Sequence, residues 1–488
     1  MTRNNRGDKS RGKIVAFRTA AVIVGLLPFV LFEVTLRGLG VGEATEAAYP
    51  AIGFEAVHPL FALNDTSDRY EIAKSRQAYF YPDSFAAEKD ASEFRIFCLG
   101  GSTVQGRPYS IETSFTTWLE LSLNATDSTR NWEVINCGGI SYASYRLVPI
   151  LEEVLAHEAD AIVLYTGHNE FLEARTFQDL QSTVPLSRVR TFNLIRDAWS
   201  GESRLEGQGQ PREILATEVD ALLDYRDGLA DYHRDDSNRS VVVKQYAENL
   251  SRMIDLASSE SVPIVLLNPA SNLKDTPPFK VEPRSQLTER DAAEFDTLCE
   301  QSRAASDIGE KVELLEKAVA IDGRHAGARF LLAHAYLTQN QPDEAREQFV
   351  RAKDEDVCPL RMIEPLHDAL SAVASSSGTP LIDVRRDFEL RVPDGIPGDN
   401  VFLDHIHPSI NNHQAIAQLL LDHLVAAGFC RPLDDWKAIR DERYLEHLAS
   451  LDTPYYAKGK QRLEGLIRWT QGRANKLRDG TLLPPGLD

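Results

Sequence analysis

The hydrophobic positions fall into short runs separated by stretches with helical spacing. Runs rich in apolar and β-favouring residues lie at 94–99, 133–136, 161–165, 263–267 and 380–384. Each is short and bounded by turn residues, as buried strands are. Apolar residues recur at helical spacing over 115–123, 145–157, 241–258 and 415–424. Strands alternating with helices predict a parallel sheet with helices on both faces. Residues 41–90 show little periodicity and read as a linker and lead-in. A polar stretch at 176–236, with loose glycines between 201 and 209, reads as a surface excursion near the site.

A second interruption, between the fourth and fifth strands, carries an internal repeat. Leu315, Ala318 and Asp322 recur as Phe349, Ala352 and Asp356, 34 residues later. That is the tetratricopeptide period. Leu332, Ala333, Tyr336 and Ala345 also fall at that repeat's apolar positions. Small alanines permit close helix contact, and Tyr336 and Phe349 fill the remaining gap. Two copies are too few for a free-standing array, so this unit must lean on the α/β body.

The chain opens with Arg3, Arg6, Lys9, Arg11 and Lys13 against a single acid, Asp8. An apolar stretch follows at 14–36, uninterrupted over 19–32. Its length suits a membrane-spanning helix, and the basic flank puts the N-terminus in the cytoplasm and the body outside it. A cleaved signal peptide leading to secretion is the competing reading. The expected organisation is a basic tail and anchor (1–40), a linker (41–90), an α/β body (91–280 and 366–430), a helical insertion (281–365) and a charged, partly helical tail (431–488).

The 488 residues exceed one average domain, and a hydrophobic share of 43% is enough for real cores. Lys and Arg total 53 against 73 Asp and Glu, a net charge of −20. Such a surface repels nucleic acid and excludes it as a partner. Five cysteines without a CxxC pair indicate neither a zinc site nor a disulfide framework. Cys98 and Cys137 read as core residues, while Cys299 and Cys358 can approach each other within the helical insertion.

Four short motifs sit at strand ends or just before the last helix. They are Gly100-Gly101-Ser102-Thr103, Asn136-Cys137-Gly138-Gly139-Ile140-Ser141, Gly167-His168-Asn169-Glu170 and Asp404-His405-Ile406-His407-Pro408. Ligand sites of open α/β sheets lie at the carboxyl ends of the strands. A serine hydroxyl needs a base within hydrogen-bond reach, and His407 can serve, oriented by Asp404. A tetrahedral intermediate needs hydrogen-bond donors, which Asn169 and backbone N–H groups near Ser102 and residues 139–141 can supply. Ser102 as a plain helix cap, or Asp404, His405 and His407 as metal ligands, are the competing readings. No further ligand cluster accompanies the latter.

In this order the four motifs resemble the SGNH, or GDSL-type, hydrolase superfamily over residues 91–280 and 366–428. The resemblance implies a flavodoxin-like three-layer α/β sandwich and no cofactor or metal. It implies a nucleophilic Ser102, the pair Asp404 and His407, and an oxyanion hole from Asn169 and the second motif. That family's Gly-Asp-Ser-Leu reads Gly-Gly-Ser-Thr here, and its oxyanion glycine falls at Ser141, with Gly139 close by. Membrane-anchored members with tetratricopeptide insertions look similar to the whole layout. The expected activity is hydrolysis of carboxylic esters on a cell-surface glycan or lipid through an acyl-enzyme. An O-acyltransferase, or a tethered adaptor using the helical repeats to bind a protein partner, are the alternatives. Arg361 and Arg175 are candidates to bind an anionic substrate group.

Overall fold

The computed structural model describes residues 53–175, 214–224, 228–284 and 286–479, the side chains of 468 and 471–479 excepted. The chain divides into two compact units. One comprises residues 1–53 and 175–215, of which only 53, 175, 214 and 215 are described. The other comprises 54–174 and 216–488 and carries everything that follows. The expected membrane-spanning stretch at 14–36 and much of the excursion at 176–236 lie outside the described residues. Among the described residues no helix is long and apolar enough to cross a membrane.

The elements run in chain order. A small sheet is built from β1 (Phe61–Asn64), β2 (Arg69–Ile72) and β3 (Ser84–Ala86). Then come β4 (Glu93–Gly100), α1 (Ser102–Gln105), α2 (Phe115–Thr126), β5 (Asn131–Gly138), α3 (Ser144–Leu155) and β6 (Ala161–Tyr165). After the excursion follow α4 (Asp236–Ser259) and β7 (Ile264–Asn268). Four helices make the insertion, α5 (Glu289–Ala304), α6 (Ile308–Ile321), α7 (Ala326–Thr338) and α8 (Pro342–Asp354). The chain ends with α9 (Glu364–Ser377), β8 (Leu381–Asp383), α10 (Val384–Arg391), α11 (Ile410–Ala426), α12 (Trp436–Ser450) and α13 (Thr453–Asp479).

The main sheet is parallel throughout, in the order β8-β7-β6-β4-β5. Counted along the chain this is the 2-1-3-4-5 order of flavodoxin-like sheets, whose ligand edge lies where the order reverses. That reversal falls between β4 and β6. In register, Gly100 pairs with Gly138 on one side and Tyr165 on the other, so all three strand ends meet at one edge.

Both sheet faces are buried, which explains the near-continuous apolar strands. Phe97, Leu99, Ile135 and Leu164 point one way and pack on α3, α4 and α9. Ile96, Cys98, Val134 and Val163 point the other way and pack on α2 and α11. The sandwich therefore has three layers. Cys98 and Cys137 are fully buried, on opposite faces.

The lead-in is not a plain linker. Residues 61–86 fold into an antiparallel sheet whose Phe61, Ile72 and Phe85 join the core. Its strands are too short for periodicity to reveal. Arg95, buried within β4, fastens it: Nε donates to Glu133 at 2.7 Å, Nη2 to the Ala86 carbonyl at 3.0 Å, and the guanidinium lies 4.6 Å from the Phe85 ring centre.

The insertion has the repeat geometry. Leu315, Ala318, Phe349 and Ala352 are buried at its helix contacts. The two repeat aspartates do matching work: Asp322 accepts the Arg284 N–H at 3.1 Å, and Asp356 accepts those of Phe279 and Lys280 at 2.7 and 2.9 Å. Both tie down the irregular segment by which the chain enters the insertion. The unit leans on the body, since Phe330, Ala333 and Phe349 pack with Leu273 and Ile396. Cys299 and Cys358 are not joined by a disulfide and lie in separate apolar clusters.

The charged tail belongs to the body. Trp118 of α2 packs 4.7 Å from Tyr444 of α12, ring centre to ring centre. The Tyr444 hydroxyl donates to the Trp118 carbonyl at 3.0 Å, and Arg462 of α13 donates to the Tyr109 carbonyl at 2.8 Å. Low overall hydrophobicity hid these contacts, which rest on single aromatic and arginine side chains.

Glu120 in α2 supplies a test of this packing. Its carboxylate accepts the Val134 N–H at 2.9 Å, and burial, with Asp83 and Glu133 nearby, pushes it up to about 7. The folded chain holds this proton more tightly than the unfolded chain does. Its stability contribution is complete in acid, below the ordinary glutamate range near 4, and is lost as pH rises through about 7. The thermal midpoint should fall between about pH 5 and about pH 8 more steeply in the wild type than in Glu120→Gln. Equal slopes would show that Glu120 ionises normally in the fold.

Candidate active site

Ser102 opens α1 directly after β4. The cap residue of that helix is Gly101, and no side chain caps it. Ser102 is thus not the helix cap, and its hydroxyl is engaged elsewhere. A Cβ on Gly100 would come within 2.2 Å of the Tyr165 carbonyl oxygen, and one on Gly101 within 2.6 Å of Asn169 Nδ2. The two glycines let β6 and its following loop close onto the serine turn.

His407 and Asp404 come from the loop before α11, more than 300 positions along the chain from Ser102 (|i−j| = 305 for His407). His407 Nε2 lies 2.7 Å from Ser102 Oγ, and His407 Nδ1 lies 2.6 Å from Asp404 Oδ2. An ionised carboxylate only accepts, so Nδ1 carries the proton and Nε2 accepts from the serine hydroxyl. Asp404 Oδ1 accepts the N–H groups of Ile406 and His407, each at 2.9 Å. Burial would raise the Asp404 carboxyl. The neighbouring His407 and His405 and these hydrogen bonds outweigh burial and hold the carboxyl well below the usual carboxylate range.

The loop is pinned from outside by Asn272, which is fully buried. Its backbone N–H donates to the His405 carbonyl at 2.9 Å, and Nδ2 donates to the Asp404 carbonyl at 3.2 Å and Asp399 at 2.8 Å. Sequence reasoning missed this role, although Asn272 starts the segment leading into the insertion.

Asn169 Nδ2 donates to the Tyr142 carbonyl at 3.0 Å, and its second hydrogen is left for the cavity. Gly139 and Ser141 separate clearly. The Gly139 N–H is spent on the Gly100 carbonyl at 3.0 Å. Ser141 lines the cavity, sits at φ +63°, and its N–H has no protein acceptor among the described residues. Glu170 is structural: it accepts the Ser144 N–H at 2.8 Å and hydroxyl at 2.9 Å at the start of α3. His168 accepts the Met362 N–H at 3.1 Å, and burial, with His405 and His407 nearby, pushes it down to about 3.

Ser102, Ser141, Asn169 and His407 share one cavity of about 410 Å³. Its far wall is the tail: Arg462, Gly465, Leu466 and Trp469 of α13 line it, with Arg107 from the turn after α1. None of these wall residues stands out in the sequence, because α13 reaches the site only through tertiary packing. Arg361 is not at the cavity. It is buried, and Nη1 donates to the carbonyls of Asn272 and Thr276, both at 2.8 Å. Its charge serves the segment leading into the insertion rather than a substrate. Arg175 belongs to the other unit. His405 stacks edge-on with Phe279 at 5.3 Å, and among the described residues no His, Cys, Asp and Glu group is arranged to hold a metal.

A family model described as tetratricopeptide repeat matches residues 303–357, the end of α5 through α8. No curated protein matches the chain. Among solved structures the chain is similar to a lipase/acylhydrolase from Enterococcus faecalis, at 13% identity and TM-score 0.33, covering 70% of this chain and 99% of that one. It is similar to the acetyl xylan esterase AlAXEase at 12% identity and TM-score 0.32, covering 68% and 100%. It is also similar to an acetylxylan esterase from Geobacillus stearothermophilus at 10% identity and TM-score 0.31, covering 67% and 93%.

Proposed function

We propose that the chain is a serine esterase of the SGNH type that cleaves carboxylic esters through an acyl-enzyme. The observation that carries this reading is the unbroken row from Asp404 through His407 to Ser102, with hydrogen bonds of 2.6 and 2.7 Å. In the proposed reaction Ser102 Oγ attacks the ester carbonyl carbon as its proton passes to His407 Nε2. Asp404 holds the imidazolium that forms. The oxyanion accepts hydrogen bonds from the backbone N–H groups of Ser102 and Ser141 and from Asn169 Nδ2. The carbon–oxygen bond to the alcohol breaks, and the alcohol leaves with the proton from His407. Water then attacks the acyl carbon, gives its proton to His407, and the acid departs as Ser102 recovers its hydrogen.

Within the same proposal, the basic start and apolar run of the first 40 residues support an exported, membrane-anchored body acting on surface esters. The helical insertion, packed on the body by α7 and α8, is free to meet a protein partner with its remaining surface.

Ser102→Ala and His407→Ala should each lower turnover of para-nitrophenyl acetate by roughly a thousandfold or more. Ser102→Ala should also lose labelling by a fluorophosphonate. Undiminished turnover by either variant would remove that residue from the chemistry.

Gly101→Ala tests the oxyanion assignment, because the new Cβ displaces the Asn169 amide from its place 2.6 Å away. Its kcat should drop by about a hundredfold, as should that of Asn169→Ala. The double variant should lose little more than either single one. Fully multiplicative losses would show that Gly101 and Asn169 act separately.

A further inference from the structure

The cavity contains two cations that ester cleavage does not use. Arg107 follows α1, its backbone N–H held by the Ser102 carbonyl at 3.1 Å. Arg462 comes from α13, with its guanidinium 5.0 Å from the Tyr81 ring centre and Nη1 donating to the Tyr109 carbonyl at 2.8 Å. Both are half-buried and both line the cavity with Ser102 and His407.

Three other sheltered arginines of this body are ion-paired. Arg95 pairs with Glu133 at 2.7 Å, Arg146 with Glu173 at 2.6 Å and Arg385 with Glu364 at 2.9 Å. Among the described residues neither Arg107 nor Arg462 has a carboxylate at ion-pair distance, and the Arg107 guanidinium has no acceptor. Arg462 keeps Nε and Nη2 uncommitted in the same sense. Burial lowers the Arg107 guanidinium from its usual value, and the charge on Arg462 adds to this. Two sheltered charges of like sign, facing one space with no carboxylate at ion-pair distance among the described residues, repel each other and lack solvation. An anion between them relieves both costs.

The cavity also has an acid, Asp224, but it accepts the Trp469 indole N–H at 3.3 Å. The chain as a whole carries −20, a field that repels anions. Local cations at the site oppose that field where a substrate docks. A guanidinium presents a planar fork that matches carboxylate, sulfate and phosphate oxygens.

Resting on the esterase reading, we propose that Arg107 and Arg462 form an anion-binding subsite, so that the preferred ester carries a carboxylate, sulfate or phosphate group in the same cavity. The anion belongs either to the acyl group or to the alcohol that bears it, and the choice of ester tells the two apart.

The test compares kcat/KM for paired esters. Mono-para-nitrophenyl succinate against para-nitrophenyl acetate reads an anion on the acyl side. Acetylated oligogalacturonate against acetylated xylo-oligosaccharide reads one on the alcohol side. At low salt the wild type should favour one anionic ester over its neutral counterpart by about tenfold or more. Arg107→Gln and Arg462→Gln should erase that ratio, Arg462→Lys should keep part of it, and added salt should shrink it. Ratios near one in the wild type, or ratios untouched by both glutamine variants, overturn the subsite. When fluorophosphonate still labels Ser102 in that case, the esterase reading survives alone. Should neither labelling nor turnover occur, calorimetry with oligogalacturonate and succinate decides the subsite independently. Binding lost in the double glutamine variant supports it, and no binding by the wild type overturns it.

Discussion

The site depends on how firmly one loop is held. A hydrogen-bonded imidazole 2.7 Å from a serine hydroxyl is useful only when the ring cannot turn away. Here Asp404 fixes the ring from behind, and its own carboxylate is fixed by the N–H groups of Ile406 and His407. Asn272, itself buried, clamps the loop's carbonyls. Burial makes this arrangement stringent. A carboxylate without water must find its donors in the protein, and Asp404 finds three: one imidazole and two backbone N–H groups.

The opposite wall is set by the absence of side chains. Gly100 and Gly101 admit the Tyr165 carbonyl and the Asn169 amide at distances that any Cβ would forbid. Gly138 does the same for α1, where a Cβ would meet the Gln105 nitrogen at 2.2 Å. Strands β4, β5 and β6 therefore deliver their loops to one spot at the reversal of strand order. The insertion enters beside the pinned loop, since Asn272 and the Arg361 contacts with Asn272 and Thr276 lie on its entry segment. Repeat packing and the geometry around Asp404 are thereby mechanically joined.

Much of this was legible from the chain because the informative residues are constrained locally. Strands β4, β6 and β7 are buried on both faces, so their apolar runs stand out: 161–165 matches β6 end to end, and 94–99 lies within β4. Ser102, Asn169, Asp404 and His407 stood out as residue types needed together, and the fold brings them into one cavity with Ser141, apart from Asp404, which sits behind the imidazole. What escaped was tertiary. The lead-in sheet is held by Arg95, whose partners lie on three separate segments. The tail earns no signal from hydropathy, yet α13 walls the cavity through Arg462, Leu466 and Trp469. Arg361 looked like a substrate ligand because a charge near a site motif is ambiguous until its carbonyl acceptors are seen.

The most direct test is to catch the covalent intermediate. The wild-type chain is mixed with excess para-nitrophenyl acetate, quenched in acid during the first turnover, digested and examined by mass spectrometry. The account predicts one acetyl group on the peptide containing Ser102, appearing with the nitrophenol burst and disappearing as substrate is exhausted. Nitrophenol release at full rate with Ser102 unmodified at every time point would contradict it.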